Sequence, residues 1–79
     1  MAVNKIVFDY SKLRGRIREI CTTESAFASL LGLSTVSLSA KLNNRVGFSE
    51  AEILRSCEIL EICRDEIALY FFNRKTKKT

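Results

Sequence analysis

The segment from Glu24 to Leu42 constrains this chain more than any other. Two short amphipathic stretches lie on either side of Gly32 in a sequence without proline. Gly32 is therefore the residue that readily supplies the positive φ of a sharp turn. Phe27, Leu30 and Leu31 recur at helical spacing before it, and Leu38 and Leu42 lie one turn apart after it. Ala28, four residues before the glycine, is small enough for two helices to cross closely, and Leu33, Leu38 and Leu42 then seal the junction. Two short helices packed steeply across a tight turn make a helix-turn-helix. Ala28, Gly32, Leu33, Leu38 and Leu42 are the residues that hold its shape.

The flanking sequence also reads as helix, mainly from caps and hydrophobic staples. Asp9 is placed to cap a first helix, stapled by Phe8 and Leu13, with Leu13, Ile17, Ile20 and Cys21 buried and Lys12, Arg14, Arg16 and Arg18 opposite. Thr22 or Thr23 caps the second helix, and Ser34 caps the third, with Leu33 and Leu38 in staple positions. Asn43 to Gly47 form the loop that follows. Ser49 and Glu52 make a capping box for the fourth helix, stapled by Phe48 and Ile53, with Ile53, Leu54, Cys57 and Leu60 as its core stripe. A shorter fifth helix covers about Arg64 to Phe71, with Asp65 and Glu66 near its positive end. The expectation is a compact all-α domain of five helices over residues 1–73, helices 2 and 3 forming the helix-turn-helix, and a basic, disordered tail over 74–79. The residues ahead of Asp9 are extended or irregular.

Composition narrows the function classes. Seventy-nine residues with 47% hydrophobic content suit one small core. The longest apolar runs, such as Ile67 to Phe72, fall far short of the ~20 residues of a membrane span, and no leader pattern opens the chain, so a cytoplasmic protein without membrane contact is expected. Cys21, Cys57 and Cys63 form no C-x-x-C pair, there is no histidine, and the thiols read as small core residues in a reducing compartment. Without histidine, a glycine-rich phosphate loop, a metal-ligand cluster or a nucleophile beside a base, neither catalytic residues nor a metal or cofactor is expected. Glu50, Glu52 and Glu58 read as the solvated face of an amphipathic helix.

Net charge is unevenly distributed. Residues 1–48 carry seven basic and three acidic residues, 49–73 carry two and six, and 74–79 add four basic ones. One face is thus suited to a polyanion, and an acidic face is turned elsewhere.

From Phe8 to Phe72 the stretches FDYSKLRGRI, SAFASLLGLS, LSAKLNN, FSEAEI and EIALYFF together resemble the short Cro-like helix-turn-helix regulators of phages and prophages of Gram-positive bacteria, within the repressor and Cro superfamily. The resemblance implies a five-helix domain, a part in a lysis or lysogeny decision, and a recognition helix beginning near Ser34. Glu61 departs from that superfamily, which often has a glycine after the fourth helix.

On this reading the chain is a sequence-specific regulator of a double-stranded DNA operator. Ser34, Thr35, Val36, Ser39 and Ala40 face base edges in the major groove. Thr23 and Ser25, at the start of the second helix, and Lys41, Asn43, Asn44 and Arg45, after the third, contact phosphates. The base-facing set holds no Arg, Gln or Asn capable of a bidentate base contact, and Glu24 opposes DNA. The alternative is a modulator or antirepressor that binds the phage repressor protein, its acidic stretch from Glu50 to Glu66 pairing with a basic DNA-binding surface. Tyr70, Phe71 and Phe72 serve either core packing or a homodimer contact that reads two half-sites.

Overall fold

The computed structural model describes residues 7–74. Within them the chain forms α1 (Ser11–Cys21), α2 (Glu24–Leu31), α3 (Thr35–Leu42), α4 (Glu50–Leu60) and, after a 3₁₀ turn at Arg64–Glu66, α5 (Ile67–Phe71). The five helices make the chain all-α, as the sequence predicts. Among the described residues the one extended pairing is an antiparallel bridge between Phe8 and Arg74, extended by a 2.7 Å hydrogen bond from the Asp9 N–H to the Asn73 carbonyl. Arg74, the first residue of the expected tail, and Asn73 before it are therefore held against the N-terminal segment. The remainder of the tail, with Lys75, Lys77 and Lys78, lies outside the described residues.

Helix starts follow the capping residues. Thr23, Ser34 and Ser49 each adopt extended backbone and accept a hydrogen bond from the N–H three residues on, and Ser49 with Glu52 completes the reciprocal capping box. The first helix begins one residue later than the sequence suggests. Tyr10 occupies the cap position without a side-chain bond, while the Asp9 carboxylate accepts from the N–H and hydroxyl of Ser11.

Three helices end alike. The N–H of Leu33 bonds the Ala28 carbonyl, that of Arg45 the Ala40 carbonyl and that of Ile62 the Cys57 carbonyl. In each case the preceding residue is left-handed: Gly32, Asn44 and Glu61, with φ of 82°, 64° and 55°. A cation completes the last of these ends. The Arg16 guanidinium, reaching over from α1, donates to the carbonyls of Leu60 and Glu61 at 2.9 and 3.3 Å, where the helix dipole is negative.

The core gathers Tyr10, Leu13, Ile17, Phe27, Ala28, Leu31, Leu38, Leu42, Leu60, Ile62 and Phe71. Several residues expected inside are elsewhere. Leu30 and Leu54 are 54% and 59% exposed, and Ile20 is also exposed. Each lies at the margin of its helix's apolar stripe, and the neighbouring helices cover only the centre. On α4 Ser56 turns inward with Leu60, its burial made possible by its hydroxyl donating back to the Glu52 carbonyl at 2.7 Å. Cys21 and Cys57 are half-buried against the core, whereas Cys63 is exposed in the turn between α4 and α5 rather than within it. Among the described residues no helix is long and apolar enough to cross a membrane.

Candidate interaction surfaces

α2 and α3 are eight residues each and meet at 105° across Gly32, Leu33 and Ser34. That angle falls within the ~90–120° range of helix-turn-helix pairs. Ala28, Leu38 and Leu42 are buried at their junction, and Leu33 packs half-buried against them. Of the residues expected to face bases, Ser34, Thr35, Val36 and Ser39 are exposed and Ala40 is half-buried. The surface they offer is small and weakly polar. The Ser34 hydroxyl accepts from the Ser37 N–H, and the Ser39 hydroxyl accepts from the Asn43 amide, so Thr35 and Val36 present the freest side chains.

The residues expected to follow a phosphate backbone are mostly engaged within the protein. Lys41 is 12% exposed along its side chain; its ammonium lies 3.0 Å from Glu52 and donates to the Gly47 carbonyl at 2.9 Å, above the Phe48 ring. Burial works against the Glu52 carboxylate, but the Ser49 N–H and the Lys41 ammonium outweigh it and hold the Glu52 carboxyl below its usual range. Asn43 donates to the Ser39 carbonyl. Asn44 clasps the N-terminal segment, accepting from the Phe8 N–H at 2.9 Å and donating to the Phe8 carbonyl at 3.0 Å. Thr23 spends its hydroxyl on the Ala26 N–H, while Ser25 and Arg45 are exposed. Glu24 pairs with Arg14 at 2.9 Å, and the same guanidinium reaches Asn43, so α1 braces the start of α2 and the end of α3.

Among the hollows that flank this framework in the described residues, two have mainly apolar linings. The first, about 220 Å³, has an aromatic lining in which Phe8, Tyr10, Phe48, Phe71 and Phe72 meet in a chain of tilted and edge-to-face contacts, with Arg45 and Val46 at its mouth. Phe71 is core, Tyr70 is half-buried beneath the Lys12 ammonium, and Phe72 is half exposed beside Phe8. The second hollow lies between α4 and α5. Leu54, Cys57, Ile62 and Ile67 supply its apolar lining, and Glu58 and Arg64 stand with them. Burial, and next the Glu58 carboxylate, push the Cys57 thiol above its usual range, so it lines the hollow as a neutral group.

Sequence reasoning finds the acidic α4 segment but not this hollow. It depends on Leu54 lying outside the core, and the stripe Ile53, Leu54, Cys57, Leu60 looks continuous in sequence.

Among curated proteins none matches this sequence. Among solved structures the chain is similar to the modulator of repression (MOR) of the temperate bacteriophage TP901-1 from Lactococcus lactis, known from a solution structure. The two are 43% identical, with a TM-score of 0.75, and the likeness covers 89% of this chain and 95% of that one. This finding corrects the expectation of a sequence-specific, operator-binding regulator, because the relative is a modulator of repression. The physical reason is visible in the fold: Lys41, Asn43 and Asn44, expected on phosphates, are committed to internal partners. The matching family model spans residues 6–74 and is described as Protein of unknown function (DUF739), and the chain belongs to that family.

Proposed function

We propose that this chain is a phage or prophage modulator of repression, which binds a repressor protein and changes that repressor's occupancy of DNA. The observation that carries this reading is the likeness to the phage modulator over nearly the whole of both chains. The engaged cations around α3 support it, as does the absence from Ser34 to Ala40 of any side chain able to grip a base with two hydrogen bonds. A protein partner suits the exposed apolar residues better than a phosphate backbone does, since Leu54, Leu69 and Val46 gain from burial against side chains.

The test is a gel-shift titration with the repressor of the same phage or prophage on its operator. The purified chain alone leaves the operator unshifted, and increasing amounts of it change the repressor's shift. A repressor shift that stays the same at saturating chain, together with no complex in gel filtration, would overturn the proposal.

A further inference from the structure

The aromatic hollow holds two polar groups that the fold leaves unused. Tyr10 is only 7% exposed, yet its hydroxyl makes no hydrogen bond with any described residue. Its ring packs on Phe8 and Phe48, at centroid distances of 6.1 and 5.6 Å, and both of those rings are walls of the hollow. No fully buried side-chain polar atom among the described residues lacks a partner, so the hydroxyl reaches open space beside these rings instead of being sealed in the core. Burial pushes the Tyr10 phenol above its usual range, which keeps the group a donor at neutral pH.

The second group is the Arg45 guanidinium. Arg45 is exposed, lines the same hollow, and its side chain has no ion pair or hydrogen bond among the described residues. No acidic residue among them lines the hollow, and the Lys41 ammonium above Phe48 is already matched by Glu52. The hollow therefore offers a donor and an uncompensated positive charge, and both favour an anion.

Size and lining set the rest of the ligand. An apolar cavity of about 150 Å³ takes up benzene. A hollow of about 220 Å³ therefore has room for one ring and a short arm, and it is below the ~300 Å³ at which sites for drug-sized molecules begin. Phe8, Phe48, Phe71 and Phe72 already meet one another edge to face, the arrangement in which a further ring is attracted. A carboxylate accepts from a hydroxyl and a guanidinium together.

We infer that the aromatic hollow is a binding site for a small aromatic carboxylate, its ring among Phe8, Phe48 and Phe72 and its carboxylate held by Arg45 and the Tyr10 hydroxyl. The inference is independent of the proposed function. A ligand seated there ties the segment ahead of α1 to the α3–α4 loop and to Phe72, at the corner that the Asn44 clasp and the Phe8–Arg74 bridge already draw together.

The experiment is a titration of the isotope-labelled full chain with phenylacetate, followed by amide chemical shifts, with phenethylamine as a probe of similar shape and opposite charge. Saturable shifts are expected at Phe8, Arg45, Val46, Gly47 and Phe72, with a Kd of about a millimolar for so small a ligand. Tyr10→Phe and Arg45→Ala are each expected to weaken binding about fivefold or more. Neither group holds another part of the fold, so both variants are expected to melt with the wild type. Arg18→Ala, exposed on α1 and away from the hollow, is expected to bind as the wild type does. An equal response to the amine, wild-type affinity in both hollow variants, or shifts that fail to saturate or fall elsewhere would each overturn the inference. Shifts of the same amides with protein concentration, in the absence of any probe, would seat a second copy in the hollow and overturn it too.

Discussion

Thr22 and Glu61 sit where their side chains are least suited to the backbone. Thr22, at φ 74° and ψ −48°, forms a three-residue turn closed by the Thr23 N–H on the Cys21 carbonyl at 2.8 Å. A positive φ with a β-branched side chain costs on the order of 1–3 kcal/mol. Glu61 ends α4 in the left-handed region that Gly32 occupies at the end of α2 without a Cβ penalty. Thr22→Gly and Glu61→Gly are therefore expected to stabilise the chain by about 1 kcal/mol each, after allowing for the greater freedom of glycine in the unfolded state. Urea unfolding measures this directly. A midpoint that stays level or falls in both variants would show that neither site stores strain.

At the scale of elements, the clasp between Asn44 and Phe8 joins the α3–α4 loop to the segment ahead of α1. Asn44 performs two tasks there, ending α3 in the left-handed region and closing both backbone hydrogen bonds of Phe8. Asn44→Gly keeps the first and removes the second. The expected result is a loss of about 1 kcal/mol, with faster amide exchange at Phe8 and Asp9 and unchanged protection in α2 and α4. Uniformly faster exchange would mean that the clasp supports the whole core instead.

Local chemistry made much of this architecture legible: hydroxyl caps at Thr23, Ser34 and Ser49 mark helix starts, and Gly32 marks an end. Long-range partnerships were not legible. Nothing near Lys41 in sequence reveals that Glu52 and the Gly47 carbonyl hold its ammonium, and nothing near Arg14 points to Glu24. A cation reads as free until its partner is placed beside it. Apolar stripes mislead in the opposite direction, since Leu30 and Leu54 fit the period of their helices yet face outward because no neighbouring element covers them.

Across the whole molecule, internal pairing sorts charge. Much of the basic half's charge is consumed in bracing helices through Arg14, Arg16 and Lys41, whereas the acidic half, Glu52 apart, leaves its carboxylates exposed to solvent. The formal +4 of the chain therefore understates how negative the α4–α5 face is. Encounter with a basic partner should be hastened by that face and screened over a Debye length of about 10 Å at 0.1 M salt. Stopped-flow association with the repressor is expected to slow by about an order of magnitude or more between low and physiological ionic strength, with a much smaller change in dissociation rate. An association rate indifferent to salt would show that charge does not guide the encounter.

The bridge between Phe8 and Arg74 gives the molecule a single corner of entry and exit. Residues directly opposite in such a pair lie about 4.5–5.5 Å apart between α-carbons, a gap that a few residues span. Within the described residues the chain therefore enters and leaves the fold side by side. A pull applied at Phe8 and Arg74 meets Asp9, Asn73 and the Asn44 clasp before it reaches Leu13 or Phe27. The helices are thus sheltered behind a latch of a few hydrogen bonds, and the latch yields first.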